Sequence, residues 1–177
     1  VGLMYPSIPC QPVEMGASVI GAGSWGTALA MQLARAGHSV SLWARDAAHI
    51  EEIQRTGENK RYLNGCPFPE GVHASADLES VVRAADELLV CAVPSHAVRE
   101  TLERASPWIA DTAIIVSASK GIEEETAQRM SEVISQATGA GERVAVLSGP
   151  SFAREVAEAM PTALTAAASN MAHAEFV

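Results

Sequence analysis

From Ala17 onward, short runs of β-branched and apolar residues alternate with longer segments of good helix formers. This alternation is what most limits the folds open to the chain. Strands separated by helix-length connections do not close tight hairpins; they pair in parallel and bury both faces of the sheet under helices. The pattern predicts strands at Ala17–Gly21, Ser39–Ala44, Leu88–Val93, Ala113–Ser117, Val144–Leu147 and Thr162–Ala167, with a shorter one at Val72–Ser75. It predicts helices at Trp25–Ala36, Ala47–Thr56, Asp77–Ala84, Ala97–Ala105, Glu124–Thr138 and Phe152–Ala159, and the opening of another at Asn170–Val177. Gly37 caps the first of these at its C-terminus. The fold class is therefore α/β, a doubly wound and mostly parallel sheet. A composition 48% hydrophobic but only 5% aromatic suits helices packed on such a sheet.

Residues 1–16 carry Pro6, Pro9 and Pro12 without periodicity and read as a disordered leader, with Met15 a candidate natural start. Residues 17–177 are long enough to bury one core without disulfides or metals. The net charge is −9 and the only lysines are Lys60 and Lys120. No basic face is available to neutralise a nucleic-acid backbone or anionic lipid, so nucleic-acid binding and membrane insertion are excluded as expectations. Cys10, Cys66 and Cys91 lack metal-ligand spacing, which predicts no metal site and suits a reducing, cytoplasmic compartment.

The strongest local motif is Gly21-Ala22-Gly23-Ser24-Trp25-Gly26, placed between the first strand and the first helix. Gly21 permits the tight turn, Gly23 lets backbone approach a pyrophosphate, and Gly26 allows close helix-to-strand packing, while the helix N-terminus faces the anion. That placement makes the expected sheet Rossmann-like, with a dinucleotide on its carboxyl edge. At the end of the second strand stand Arg45 and Asp46. Arg45 can pair with a 2′-phosphate, stack beside adenine, or stand as a solvated loop arginine, and Asp46 keeps the ribose contact of NAD open. The cofactor is thus NADP or NAD. Pro94 opens the loop expected beside the nicotinamide, and the adjacent His96, starting a helix, suits a cap or solvent contact better than a general base.

Ser119-Lys120-Gly121 follows the fifth strand and places an ammonium at the same ligand-bearing edge, where it can hold an anionic substrate or stand as a surface lysine. The sixth strand runs into Leu147-Ser148-Gly149-Pro150-Ser151-Phe152-Ala153, in which Ser151 is suited to N-cap the next helix and Gly149 to bring backbone close to a ligand.

These motifs, with Thr27-Ala28-Leu29-Ala30, Asn59-Lys60-Arg61-Tyr62-Leu63, Val93-Pro94-Ser95 and Ile122-Glu123, resemble the bacterial NAD(P)-dependent glycerol-3-phosphate dehydrogenase family in order along the chain. The resemblance covers about Ala17 to Val177. It implies an oxidoreductase that interconverts sn-glycerol 3-phosphate and dihydroxyacetone phosphate by hydride transfer, feeding phospholipid synthesis, with a homodimer possible in the full-length enzyme. Carried over by position, it implies cofactor contacts for Ser24, Trp25, Arg45, Asp46, Tyr62, Lys120 and Ala153, and substrate contacts for Lys120, Gly149 and Ser151. The family's proline after its tyrosine-leucine pair is Asn64 here, which predicts a looser local turn. The family's catalytic lysine and substrate-phosphate contacts lie in a following all-helical domain. The expectation is therefore a nucleotide domain truncated at its C-terminal end, with no catalytic base of its own, that binds cofactor without turnover. Related 3-hydroxyacid dehydrogenases, ketopantoate reductases and a non-catalytic nucleotide-binding module are the alternatives.

Overall fold

The structure is a computed structural model and describes residues 15–177; most of the leader read from the sequence lies outside them. Seven strands form one sheet: β1 (Gly16–Ile20), β2 (Ser39–Trp43), β3 (Val72–Ser75), β4 (Leu88–Cys91), β5 (Ile114–Ser117), β6 (Val144–Ser148) and β7 (Thr165–Ala168). β1 thus begins inside the range assigned to the leader. The order is β3-β2-β1-β4-β5-β6-β7. All neighbours are parallel except β7, which runs antiparallel to β6 from Ala145↔Ala168 to Ser148↔Thr165.

The central strands alternate between two cores, as parallel strands covered on both faces must. Ala17, Val19, Leu88, Val90, Ile114 and Val116 face one core with Leu29, Ala30 and Ala34 of α1 (Ser24–Arg35) and Ile50 and Ile53 of α2 (Ala47–Thr56). Ile20, Leu89, Cys91 and Ile115 face the other, under α4 (Leu78–Arg83), α5 (Ser95–Ala105) and α6 (Met130–Thr138). Ser18 points into this second core, and its hydroxyl donates to the Val81 carbonyl at 2.6 Å, so the buried polar atom is satisfied. A smaller cluster joins α1 to α3 (Lys60–Leu63) and α7 (Ala153–Ala157) through Met31, Leu63, Cys66 and Val156, and α8 (Met171–Phe176) closes the described chain. Among the described residues, no helix is long and apolar enough to cross a membrane.

Two expectations are corrected, and one helix lies outside those expected. The helix expected at Glu124–Thr138 begins at Met130, because Glu123 is drawn inward to Arg99 and residues 123–128 fold as a turn, with Ala127 at a φ of 55°. Ser151 does not cap the following helix. α7 starts at Ala153 with Phe152 in the cap position, and the Ser151 amide instead turns back to the Gly149 carbonyl at 2.9 Å. α3, only four residues long, is too short for periodicity to reveal. Asn64 ends it with a φ of −57°, a value proline shares, so the exchange leaves the folded turn's shape open to either residue.

Candidate cofactor cleft

Strand order reverses between β1 and β4, and the chain leaves their carboxyl ends in opposite directions. A crevice is expected at such a point. A cleft of about 540 Å³ opens there, lined by the glycine turn, the ends of β2 and β4, α3 and the loop after β5. The size falls within the range of small-molecule and cofactor sites.

The three glycines divide their work as the chain geometry requires. Gly21 has a φ of +119°, and a β-carbon there would press on the Ala92 carbonyl and the Val93 amide. A β-carbon at Gly26 would collide with the Gly21 carbonyl oxygen, so this residue is where helix meets turn. At Gly23 a β-carbon would meet nothing within 4 Å. Gly23 is the N-cap of α1 and no side chain caps that helix. The first-turn amides of Ser24, Trp25 and Gly26 have no carbonyl one turn back to take them, so they offer donors and the positive end of the helix dipole to an anion. An open face at Gly23 beside uncapped amides fits a pyrophosphate.

What holds the turn in shape is a residue to which sequence reasoning gave no role. Asn59 is fully buried. Its Nδ2 donates to the Ala22 carbonyl at 2.9 Å and to Thr27 Oγ1 at 2.8 Å; its Oδ1 accepts from the Tyr62 amide at 3.3 Å and lies 2.9 Å from His49 Nε2. One amide thus ties the glycine turn to α1, α2 and α3. Its place in the Asn59-Lys60-Arg61-Tyr62-Leu63 run was the only signal available.

Arg45, Asp46 and Tyr62 line one end of the cleft. Asp46 caps α2, accepting the His49 amide at 3.2 Å, and its other oxygen takes Arg61 at 3.0 Å. The His49 amide foremost, with Arg61, holds its carboxyl below the ordinary carboxylate range, against the opposing effect of burial. Arg61, absent from the residues singled out in the sequence, also lies over the Tyr62 ring at 5.4 Å, and His49 meets that ring edge-on.

Pro94, Ser119 and Lys120 line the other end, and His96 stands exposed there in the first turn of α5. Ser119 donates to the Val93 carbonyl at 2.6 Å, fixing the start of the Lys120 loop to the end of β4. Beneath it, burial pushes the Cys91 thiol up and leaves it inert. The far side of the loop is held by Glu123, whose carboxylate accepts Arg99 Nε and Nη2 at 2.7 and 2.8 Å and Thr126 Oγ1 at 2.5 Å. Arg99 first, then Thr126, lowers the Glu123 carboxyl to about 2. Lys120 itself is exposed and, among the described residues, has no carboxylate partner.

Gly149, Ser151 and Ala153 do not line this cleft; they follow β6, two strands from β4 along the same carboxyl edge. Gly149 makes its close approach to the Ala163 carbonyl and Leu164, Ser151 is buried, and Ala153 packs with Trp25 on the cluster between α1 and α7. Among the described residues no group of three or more His, Cys, Asp or Glu side chains could hold a metal.

Comparison with known proteins places this geometry. The sequence profile of the N-terminus of NAD-dependent glycerol-3-phosphate dehydrogenase matches residues 16–174. The glycerol-3-phosphate dehydrogenase [NAD(P)+] of Thioalkalivibrio sulfidiphilus is 46% identical over 160 residues, 90% of this chain and 48% of that protein. That of Corynebacterium kroppenstedtii is 47% identical over 154 residues, 86% of this chain and 46% of that one. The crystal structure of glycerol-3-phosphate dehydrogenase from Coxiella burnetii superposes with a TM-score of 0.85 at 38% identity, covering 93% of this chain and 50% of that one. The chain therefore spans about half the length of the relatives it matches. Its glycine turn, its uncapped α1 and the profile match across nearly all described residues agree: the chain belongs to the NAD-dependent glycerol-3-phosphate dehydrogenase N-terminal family.

Proposed function

We propose that this chain provides the dinucleotide-binding half of an oxidoreductase that interconverts sn-glycerol 3-phosphate and dihydroxyacetone phosphate in glycerophospholipid synthesis, with NADP or NAD as hydride carrier. The observation that carries the reading is the cleft at the sheet's switch point, floored by Gly23 and the free amides of α1 and rimmed by Lys120. In this reading the pyrophosphate lies on the Gly23–Ser24 turn, with Gly21 and Gly26 shaping it and Trp25 behind it. Arg45, Asp46 and Tyr62 take the adenosine end, and Pro94 walls the nicotinamide end. Lys120 presents a charge and three donors to both cofactor and substrate, with Gly149 and Ser151 towards the substrate and Ala153 near the cofactor. The bound dinucleotide supplies or accepts the hydride. The residues of this chain hold it and exclude water from one side. We place the protein in the cytoplasm, where the free thiols of Cys66 and Cys91 are stable.

Calorimetric titration of the 177-residue chain with NADPH and NADH tests the binding half directly. Micromolar binding to at least one is the expected result, without steady-state oxidation of NADPH by dihydroxyacetone phosphate. General-base catalysis alone is worth about 10²–10⁴-fold, and the family's base belongs to the half these residues do not span. Failure to bind either dinucleotide would overturn the reading of the cleft, and sustained turnover would overturn the need for the other half.

A further inference from the structure

Asp46 and Arg61 form an ion pair at the end of the cleft, Nη1 to Oδ2 at 3.0 Å, with the two side chains 52% and 54% exposed. Asp46 ends the connection from β2 to α2, the place from which an adenosine ribose is read in this fold. Arg61 is carried on a rigid mount. α3 is held by Asn59, whose side chain accepts the Tyr62 amide, and the guanidinium rests over the Tyr62 ring. Arg45 lines the same end, exposed, and has no carboxylate partner among the described residues. Two guanidinium groups and one carboxylate therefore line the same end of the cleft.

A ribose 2′-hydroxyl and a 2′-phosphate make opposite demands on such a rim. The hydroxyl donates to a carboxylate. A phosphate carries a charge of about −1.5 to −2, is repelled by a carboxylate and is held by guanidinium forks. An unpaired Asp46 would reject the phosphate, and a rim of arginine alone would give a hydroxyl no acceptor. With Arg61 on Asp46, the negative charge is compensated while the carboxylate keeps lone pairs for a hydroxyl. Both partners are half exposed, so the pair opens at small cost.

Resting on the dinucleotide reading above, we propose that the Asp46–Arg61 pair is the selector by which one site accepts both cofactors: Arg61 stays on Asp46 when the ribose carries a hydroxyl, and turns to the phosphate beside Arg45 when it carries a 2′-phosphate. Arg61 is then a specificity-determining residue, and Asp46 sets the balance it draws on.

The test is the ratio of NADPH to NADH affinity, measured by calorimetry on the 177-residue chain and on Arg61→Gln and Asp46→Asn. Arg61→Gln lowers the ratio about tenfold, the loss expected for one hydrogen bond to a charged group. Asp46→Asn raises it, and because asparagine caps helices as well as aspartate does, α2 stays intact. Adenosine 2′,5′-bisphosphate against 5′-AMP repeats the comparison with the ribose end alone. A ratio that stays fixed in both variants, or moves in the same direction in both, overturns the selector. Loss of binding to both dinucleotides by the unsubstituted chain would instead overturn the dinucleotide reading on which it rests.

Discussion

A β-carbon at Gly26 collides with the Gly21 carbonyl, whereas one at Gly23 enters open cleft, so two glycines three residues apart predict opposite phenotypes. Gly26→Ala is expected to destabilise the fold by about 1–3 kcal/mol, as overpacking does, and a urea melt reads this directly. Gly23→Ala is expected to leave the melt within about 0.5 kcal/mol, in keeping with a change that touches nothing. It should nonetheless weaken NADPH binding roughly tenfold, by keeping the phosphate from hydrogen-bonding the amides it faces. The steric roles of Gly21 and Gly26 were legible because each offset has one backbone reason. Asn59 was not, because nothing in a sequence shows an amide reaching back 37 residues to the Ala22 carbonyl. Asn59→Ala strands several buried partners and is expected to cost more than about 2 kcal/mol, with dinucleotide binding lost alongside stability.

At the scale of elements, most strands and helices stood out because hydrophobic period and length agree along the chain. The exceptions have tertiary causes. Residues 124–129 have helical composition, but the buried Glu123 must reach Arg99, and that contact folds the segment as a turn ahead of α6. The same contact makes the loop sensitive to acid. Folding lowers the Glu123 carboxyl from its ordinary 4.5 to about 2, so its contribution is complete above the unfolded value and is lost as pH falls through the folded one. Stability is therefore expected to decline between about pH 4.5 and 2, with a shallower decline in Glu123→Gln, measured by thermal melting across that window. Hydrogen exchange at neutral pH checks the positional role: Arg99→Ala should speed exchange of the amides at 123–128, while those of β5 keep their protection.

For the whole molecule, the doubly wound sheet and the site's position on its carboxyl edge followed from the alternation of elements, since a parallel sheet with a reversal in strand order leaves one crevice. The antiparallel sense of β7 was not legible, because alternation fixes which segments are strands and not the direction in which the last one returns. Which side chains meet in the crevice was legible in part: the stretches at residues 21–25, 45–46, 62, 94 and 120 converge, while Arg61 and His49 emerged only from the folded arrangement. The Asn59 amide has a kinetic consequence. Because one side chain fastens the glycine turn to three successive helices, α1, α2 and α3, the turn is already shaped for the dinucleotide proposed above before any ligand arrives. Little ordering remains to slow capture. The same fastening ties recovery of the site during refolding to the docking of α1, α2 and α3 around Asn59.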